Sequence, residues 1–398
     1  MTNEIRKLIR QKRRVHSKAK RFNRETDWIK FRNIRNKVIS TIRKARDDYQ
    51  TNLGNKLKGI NPSHKSWWKL CGQISGIKQT TRGIPPLLKN DTFIYNDTEK
   101  ADAFNNFFVL QTVLDESNNS VPDPVQSHHS LNNITITVSD VDDVLKLLNI
   151  SKAFGPDLIN PRLLKAGVTE LKAPLCKNFN LSLSQFVFSA DWKQANVTPV
   201  FKNGNAKEVK NYRPISLLSI VSKCTERCVY KYVHNYLLQN GVITPNQSGF
   251  TRGDSAINQL VEISNSFGKA LDSGKEVRVV FCDISKAFDR VWHNGLLFKL
   301  EQYGITGCIP KCFRSYLNGR SQRVCLNGSF SQWKRIKAGV PQGSILVPLL
   351  FIIFINDIVR DIDASIKLFA DDTSLYVTVE SPNFAAKILN NDLQKIHH

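Results

Sequence analysis

Three aspartates carry the sharpest chemical signal in this sequence. Asp371 and Asp372 stand side by side in "LFADDTSLYV" (Leu368 to Val377), within an otherwise apolar, strand-like run. Two unit charges about 4 Å apart repel by roughly 4 kcal/mol at an effective dielectric of 20, so the doublet calls for a water-facing turn or a bound cation. Asp283 ends a second apolar run, "EVRVVFCD" (Glu276 to Asp283), and helix-like "ISKAFDRVWH" follows at once. Carboxylate oxygens suit Mg²⁺ or Mn²⁺ better than zinc. Two such ions bridged by aspartates can serve in-line phosphoryl transfer, activating the attacking oxygen and stabilising the leaving one.

The flanking patterns say what must position these acids. Ile366, Leu368 and Ala370 alternate with Lys367, Phe369 and Asp371, and beyond the doublet Leu375, Val377 and Val379 alternate with Ser374, Tyr376 and Thr378. Two period-2 runs predict a β-hairpin with carboxylates at its tip, although an ordinary Asx turn gives the same pattern. The continuous β-rich run before Asp283 predicts a strand buried on both faces. Asp283 and the doublet can then meet at the end of one sheet. "GVPQGS" (Gly339 to Ser344) pairs glycines that permit close backbone approach with the amide of Gln342, which fits a ligand-binding loop or a tight structural turn.

The chain has 398 residues and a formal charge of +23. Residues 1–60 hold 19 Lys/Arg against 5 Asp/Glu, a local charge of +14 that points to a polyanionic partner, nucleic acid ahead of an acidic membrane. "RQKRRVHSKAKR" (Arg10 to Arg21) reads as a nucleic-acid or nuclear-import patch, or as a solvated helix face. Eight cysteines in a chain this long make no disulfide framework. The pairs Cys224/Cys228 and Cys308/Cys312 lack histidines at finger-like spacing and fit burial on a helix face. The N-terminus has no apolar signal region, and the longest apolar run, "ILVPLLFIIFI" (Ile345 to Ile355), is too short for a bilayer and predicts a buried core helix. No membrane partner is expected.

Three regions follow: a basic helical N-terminal region over 1–115, a polar linker over 116–135 and a main α+β unit over 136–398. Helical periodicity runs through the first fifty residues, with Trp28, Phe31, Ile34, Val38 and Ile42 on one face. "SWWKL" (Ser66 to Leu70) and "KADAFNNFF" (Lys100 to Phe108) are further helical pieces. "SDVDDVLKLL" opens with a Ser139 N-cap candidate.

"FCDISKAFDRVWH", "AGVPQGSILVPLLFIIFINDI" and "LFADDTSLY" resemble successive motifs of reverse transcriptases, above all those of non-LTR (LINE-type) retrotransposons. "KAFGPDLINPRLL", "VTPVFKNG", "NYRPISLLSIVSKCTER" and "NQSGFTRGDSA" resemble the preceding motifs in the same order. The resemblance runs from about Ser139 to the C-terminus and implies the fingers and palm of a right-hand polymerase, with an antiparallel palm sheet. It implies an RNA-directed DNA polymerase that takes an RNA template, a DNA primer and dNTPs, and uses two Mg²⁺ or Mn²⁺ ions. Asp283 and Asp371 would hold the metals, with Asp372 the second acid of the hairpin. Phe288 would exclude a ribose 2′-OH, or else serve as core. Lys202 and Arg213 would grip the triphosphate, or else lie in a solvated loop, and Gln342 with Gly343 would face the nucleotide.

Departures from the family pattern are Val347 where glycine is usual, Thr251 in "GFT" and Ala256 in place of threonine. Val347 is expected to strain a helix start. The resemblance also leads one to expect a thumb beyond His398 and an endonuclease upstream, so the chain reads as truncated at both ends. A second reading, a catalytically inactive nucleic-acid-binding relic of a retroelement, follows from that truncation; a two-metal nuclease ranks third. The expected location is nuclear or cytoplasmic, and no protein partner is specified.

Overall fold

The computed structural model describes residues 3–61, 65–75, 83–89, 91–115 and 129–397. The chain divides into two compact units, Met1–Gly83 and Ile84–His398. This division falls well before the boundary suggested by composition, because "KADAFNNFF" packs on strands of the second unit. Most of the polar stretch expected as a linker, residues 116–128, lies outside the described residues.

In the first unit α1 (Asn3–Phe22) and α2 (Glu25–Lys58) form a helical hairpin, followed by α3 (Lys65–Ile74). The periodicity expected over the first fifty residues is interrupted once, at Asn23, whose φ of 46° is left-handed. Asn is among the few residues that tolerate that conformation. Its side chain accepts a hydrogen bond from Trp28 Nε1 (3.0 Å), which fixes the corner. Ile5, Ala19, Val38 and Leu53 are buried. Arg6, Lys7, Arg10, Arg13, Arg14, Lys18, Lys20 and Arg21 are all exposed. At 100° per residue they occupy the arc of α1 opposite Ile5, Leu8, Val15 and Ala19.

The second unit opens with the hairpin β1 (Leu87–Lys89) and β2 (Thr92–Ile94), then α4 (Asp97–Leu110), α5 (Val138–Lys146), α6 (Pro161–Ala166) and α7 (Val168–Ser184). Strands β3 (Gln194–Phe201) and β4 (Tyr212–Leu217) lead into α8 (Ile220–Gln239) and α9 (Ala256–Asp272). Next come β5 (Glu276–Asp283), α10 (His293–Gln302), α11 (Ile309–Leu317) and the short strands β6 (Ser321–Leu326), β7 (Ser329–Phe330) and β8 (Lys334–Arg335). The chain closes with α12 (Val347–Ile355), β9 (Ser365–Phe369), β10 (Asp372–Val379) and α13 (Pro382–His397). The fold is thus mixed α and β. One sheet, in the order β5-β10-β9, is wholly antiparallel. The other, β4-β3-β6-β7 with β8 on β6, is mixed, because β3 and β6 run parallel.

A large helical core joins α5, α7, α8, α10, α11 and α12. The expected core helix is α12: Val347, Leu349, Leu350, Phe351, Ile352, Ile353 and Ile355 are all buried. Burying each such side chain is worth about 1.5–3 kcal/mol. Val347 begins this helix without a positive φ; it is 4 % exposed and joins the core. Cys224 and Cys228 lie one turn apart on α8 in the same core, and burial pushes both thiols up to about 12. No helix among the described residues is long and apolar enough to cross a membrane.

Two local expectations are corrected. The cap of α5 is Thr137, not Ser139: its hydroxyl accepts from Asp140 N–H (3.1 Å) while the Asp140 carboxylate accepts from Thr137 N–H (2.9 Å). That reciprocal box satisfies two otherwise orphaned groups, which a serine two residues later cannot do. Strand β5 is not buried on both faces. It forms an edge of its sheet, and Phe281 is 78 % exposed. Val280 and Cys282 pack with Leu375 over the α13 side, while α9 covers part of the opposite face, where Phe267 meets Tyr376 at 5.4 Å between ring centroids, and leaves Phe281 exposed.

Candidate active site

The antiparallel register places the acids. Asp372 pairs directly with Asp283 across β10 and β5, and with Phe369 across β10 and β9. Directly opposed residues share one face of a sheet, so Asp283 and Asp372 belong to the face that also carries Phe281 and Ser374, and both are exposed there. The hairpin between β9 and β10 has a two-residue turn, Ala370-Asp371, and Ala370 takes a left-handed φ of 57°. Asp371 therefore stands in the turn itself, as the alternation predicts.

Asp283 and Asp371 line a single cavity of about 360 Å³. Lys202, Arg213, Phe288 and Gln342 line it too, so it gathers six of the eight residues singled out in the sequence. Asp372 and Gly343 are not among its walls. Lys202 lies just beyond the end of β3 and Arg213 near the start of β4, and Arg213 pairs with Val200, so antiparallel pairing brings both cations to one end of the sheet. Lys202 N–H donates to Asn211 O (2.9 Å), which closes the connection between them. Lys210 and Lys286 add two more cations that sequence reasoning missed. Lys286 was visible three residues beyond Asp283 within "DISKAFD", and Lys210 within "KNYRP". Phe288 lines the cavity and also packs on Phe351 of the core, at 4.4 Å between ring centroids.

The loop "GVPQGS" is held from three sides. Gly339 N–H donates to Val291 O (2.9 Å) and Val340 N–H to Phe288 O (2.8 Å), so the loop runs alongside the segment that follows Asp283. Gln342 Nε2 donates to Asp289 Oδ1 (2.9 Å), and Gln342 O accepts from Ser216 N–H (2.7 Å) on β4. Gly343 has a φ of 134°, and a Cβ there would lie 2.3 Å from Ser216 O. The glycine therefore permits the loop to meet β4 and needs no ligand to explain it. Behind the loop, fully buried Glu226 accepts from Ser222 Oγ (2.7 Å), Ser344 Oγ (2.6 Å) and Ile345 N–H (2.8 Å). Glu226 was missed because it acts through another residue, and Asp289, which lines the cavity as well as holding Gln342, was missed although it lies within "KAFDRV". Burial pushes the Asp289 carboxyl up, with the Gln342 bond and nearby Lys286 opposing that rise.

The cavity sets three carboxylates, Asp283, Asp289 and Asp371, beside four cations. Such an arrangement can hold a hard divalent cation through oxygen donors and receive several negative charges at once. Among the described residues no three His, Cys, Asp or Glu side chains form a complete metal site. Asp283 and Asp371 fit Mg²⁺ or Mn²⁺ as part of a shell whose remaining oxygens come from water or a phosphorylated ligand, the usual mode for Mg²⁺.

Comparisons with known proteins converge on the same region. Residues 201–397 match the family model described as reverse transcriptase (RNA-dependent DNA polymerase), and residues 1–62 match that of the Female sterile protein K10 C-terminal domain. A probable RNA-directed DNA polymerase from transposon BS of Drosophila melanogaster is 28 % identical over 99 % of this chain and 45 % of its own length. That of the X-element, from the same fly, is 28 % identical over 93 % of the chain and 42 % of its own length. The RNA-directed DNA polymerase from mobile element jockey is 27 % identical over 96 % and 43 %. The chain thus spans less than half the length of these curated relatives. With motif order, cavity and relatives in agreement, residues 201–397 belong to the reverse transcriptase family, and nearly the whole chain is similar to the RNA-directed DNA polymerases of non-LTR transposons.

Proposed function

We propose that this chain extends a DNA primer with dNTPs along an RNA template, as the polymerising part of a longer transposon protein. The observation that carries the reading is the convergence of Asp283, Asp371, Lys202, Arg213, Phe288 and Gln342 on one cavity. In this reading the β5-β10-β9 sheet is the palm, and β3 with β4 belongs to the fingers.

Reverse transcriptases depend in general on a divalent metal, and Asp283 and Asp371 are the residues that would hold it. Bound there, Mg²⁺ or Mn²⁺ would neutralise charge on the phosphates and assist attack by the primer hydroxyl. Asp372, exposed beside Asp283, would add negative potential toward the ions without lining the cavity. Lys202 and Arg213, with Lys210 and Lys286, would receive the triphosphate, Arg213 through forked donors that match phosphate oxygens. Phe288 would sit against C2′ of the incoming sugar and exclude a hydroxyl there. Gln342, its amide oriented by Asp289, would contact the nascent base pair. The exposed basic arc of α1 would grip nucleic-acid phosphates independently of sequence.

The test is Mg²⁺-dependent primer extension by the full chain on an RNA template, beside the Asp371→Asn variant. Wild-type extension that the variant loses, with template–primer binding retained, supports the reading. Equal extension by both proteins, or none by either, removes it.

A further inference from the structure

Segment Asn246–Gly249 runs along the outer edge of β9. Ser248 N–H donates to Leu368 O (2.9 Å) and Leu368 N–H to Asn246 O (2.9 Å). From the middle of this segment the Gln247 side chain, 3 % exposed, reaches the hairpin turn. Its Oε1 accepts from Ala370 N–H at 2.9 Å and from Gly249 N–H at 2.8 Å. Both partners are obligate donors, so the amide must present oxygen to the turn. That leaves Nε2 buried and without a partner among the described residues, an arrangement proteins disfavour.

The turn explains why the arrangement persists. Ala370 has a φ of 57°, where the Cβ of an L-residue crowds its own backbone. Such a conformation holds only when its surroundings fix it. Gly249 contributes by proximity: a Cβ there would lie 2.2 Å from Ala370 N and 2.8 Å from Phe369 C. Thr251 Oγ1 donates to Gln247 O (2.9 Å), so the residue that departs from the family pattern ties down the same segment. An amide also offers acceptor lone pairs without adding another negative charge beside Asp283, Asp371 and Asp372.

We propose that Gln247 is a positioning residue that fixes Asp371, by clasping the left-handed turn whose next residue is that aspartate. The inference rests on the polymerase reading for its effect on rate, and on the fold alone for its effect on the hairpin. Gln247→Met keeps length and apolar volume but removes the strong acceptor.

Two measurements on the full chain test it. Amide exchange is expected to speed up about tenfold or more across residues 366–372 while β5 keeps its protection, since only the clasp is lost. In primer extension kcat is expected to fall about tenfold or more with KM for dNTP within about twofold, the mark of misplaced chemistry and intact binding. Ala370→Gly in the Met background, which relieves the left-handed strain, is expected to recover part of kcat. Gly249→Ala, which pushes the turn from the other side, is expected to reproduce both changes and serves if Gln247→Met does not fold. Unchanged exchange at the hairpin overturns the clasp. Faster exchange with unchanged kcat, or a loss confined to KM, overturns its effect on Asp371. Exchange needs no substrate, so a wild type that extends nothing counts against the polymerase reading and leaves the clasp to be decided on exchange.

Discussion

Asp372 lies directly across the β10–β5 ladder from Asp283, while Asp371, one residue earlier, stands in the turn and shares a cavity with that same Asp283. The two members of the doublet therefore do different work. Asp283→Asn and Asp371→Asn are each expected to lower kcat for primer extension by about 10³-fold, roughly 4 kcal/mol of transition-state stabilisation. Asp372→Asn is expected to cost about tenfold, because it weakens the local field without removing a cavity wall. Single-turnover extension of the three variants at saturating dNTP measures the ranking. Equal losses would place Asp372 on the same footing as its neighbours.

Glu226 stands behind the loop that presents Gln342. Removing a buried carboxylate that accepts from Ser222, Ser344 and Ile345 leaves three donors unpaired. Glu226→Ala is expected to destabilise the second unit by about 3 kcal/mol, within the range for a broken buried polar network. Denaturant unfolding measures this. Because the loop is also held by Val291, Phe288 and Ser216, the folded fraction is expected to show a raised KM for dNTP with a smaller change in kcat.

Asp289 gives a pH-dependent expectation with a definite sign. Burial raises its folded-state pKa above the ordinary 3.8, so the folded protein holds this proton more tightly than the unfolded chain. Stability from this group is therefore greatest below 3.8 and declines as pH rises toward the raised folded value, above which the full cost is present. Asp289→Asn keeps an acceptor for Gln342 Nε2 and removes the ionisation. Its melting temperature is expected to match the wild type near the acid end and to exceed it at neutral pH. A constant difference across that range would show that Asp289 does not titrate between the two states.

Where a pattern repeats locally, the sequence was sufficient. Alternation about Asp371 located the hairpin, and the apolar run through Ile345–Ile355 located α12. What the pattern could not carry was the identity of the opposing layer. "EVRVVFCD" reads as doubly buried because hydrophobicity records what a strand tolerates and not whether a partner covers it, and Phe281 proved open. The corner at Asn23 and the Thr137 cap turn on single side-chain bonds with no periodic signature. The bond from Ala370 to Gln247 spans 123 positions, beyond the reach of any local pattern. Glu226, Asp289, Lys210 and Lys286 lay inside recognised strings but support or surround the chemistry, which motif reading alone does not rank.

The basic hairpin of the first unit makes its own quantitative claim. On α1, Lys18 lies 3.9 Å from Asp27, whereas Lys7, Arg10, Arg14 and Arg21 have no carboxylate within ion-pair distance among the described residues. Those four follow one another every three to seven residues along a single arc, and at 1.5 Å rise per residue neighbours stand about 5–10 Å apart, a spacing that a phosphate backbone can match. If each neutralises one phosphate, replacing all four with Gln should reduce the log–log salt slope of duplex DNA binding by about 3.6, at roughly 0.9 per contact. The loss should be the same for unrelated sequences, since phosphate contacts carry no base information. Fluorescence anisotropy across a salt series reads both quantities, and the helical hairpin should keep its circular dichroism because these side chains face away from Ile5, Ala19 and the rest of the packed stripe. An unchanged slope would assign the +14 segment to some other surface chemistry and leave the polymerase cavity to bind its template unaided.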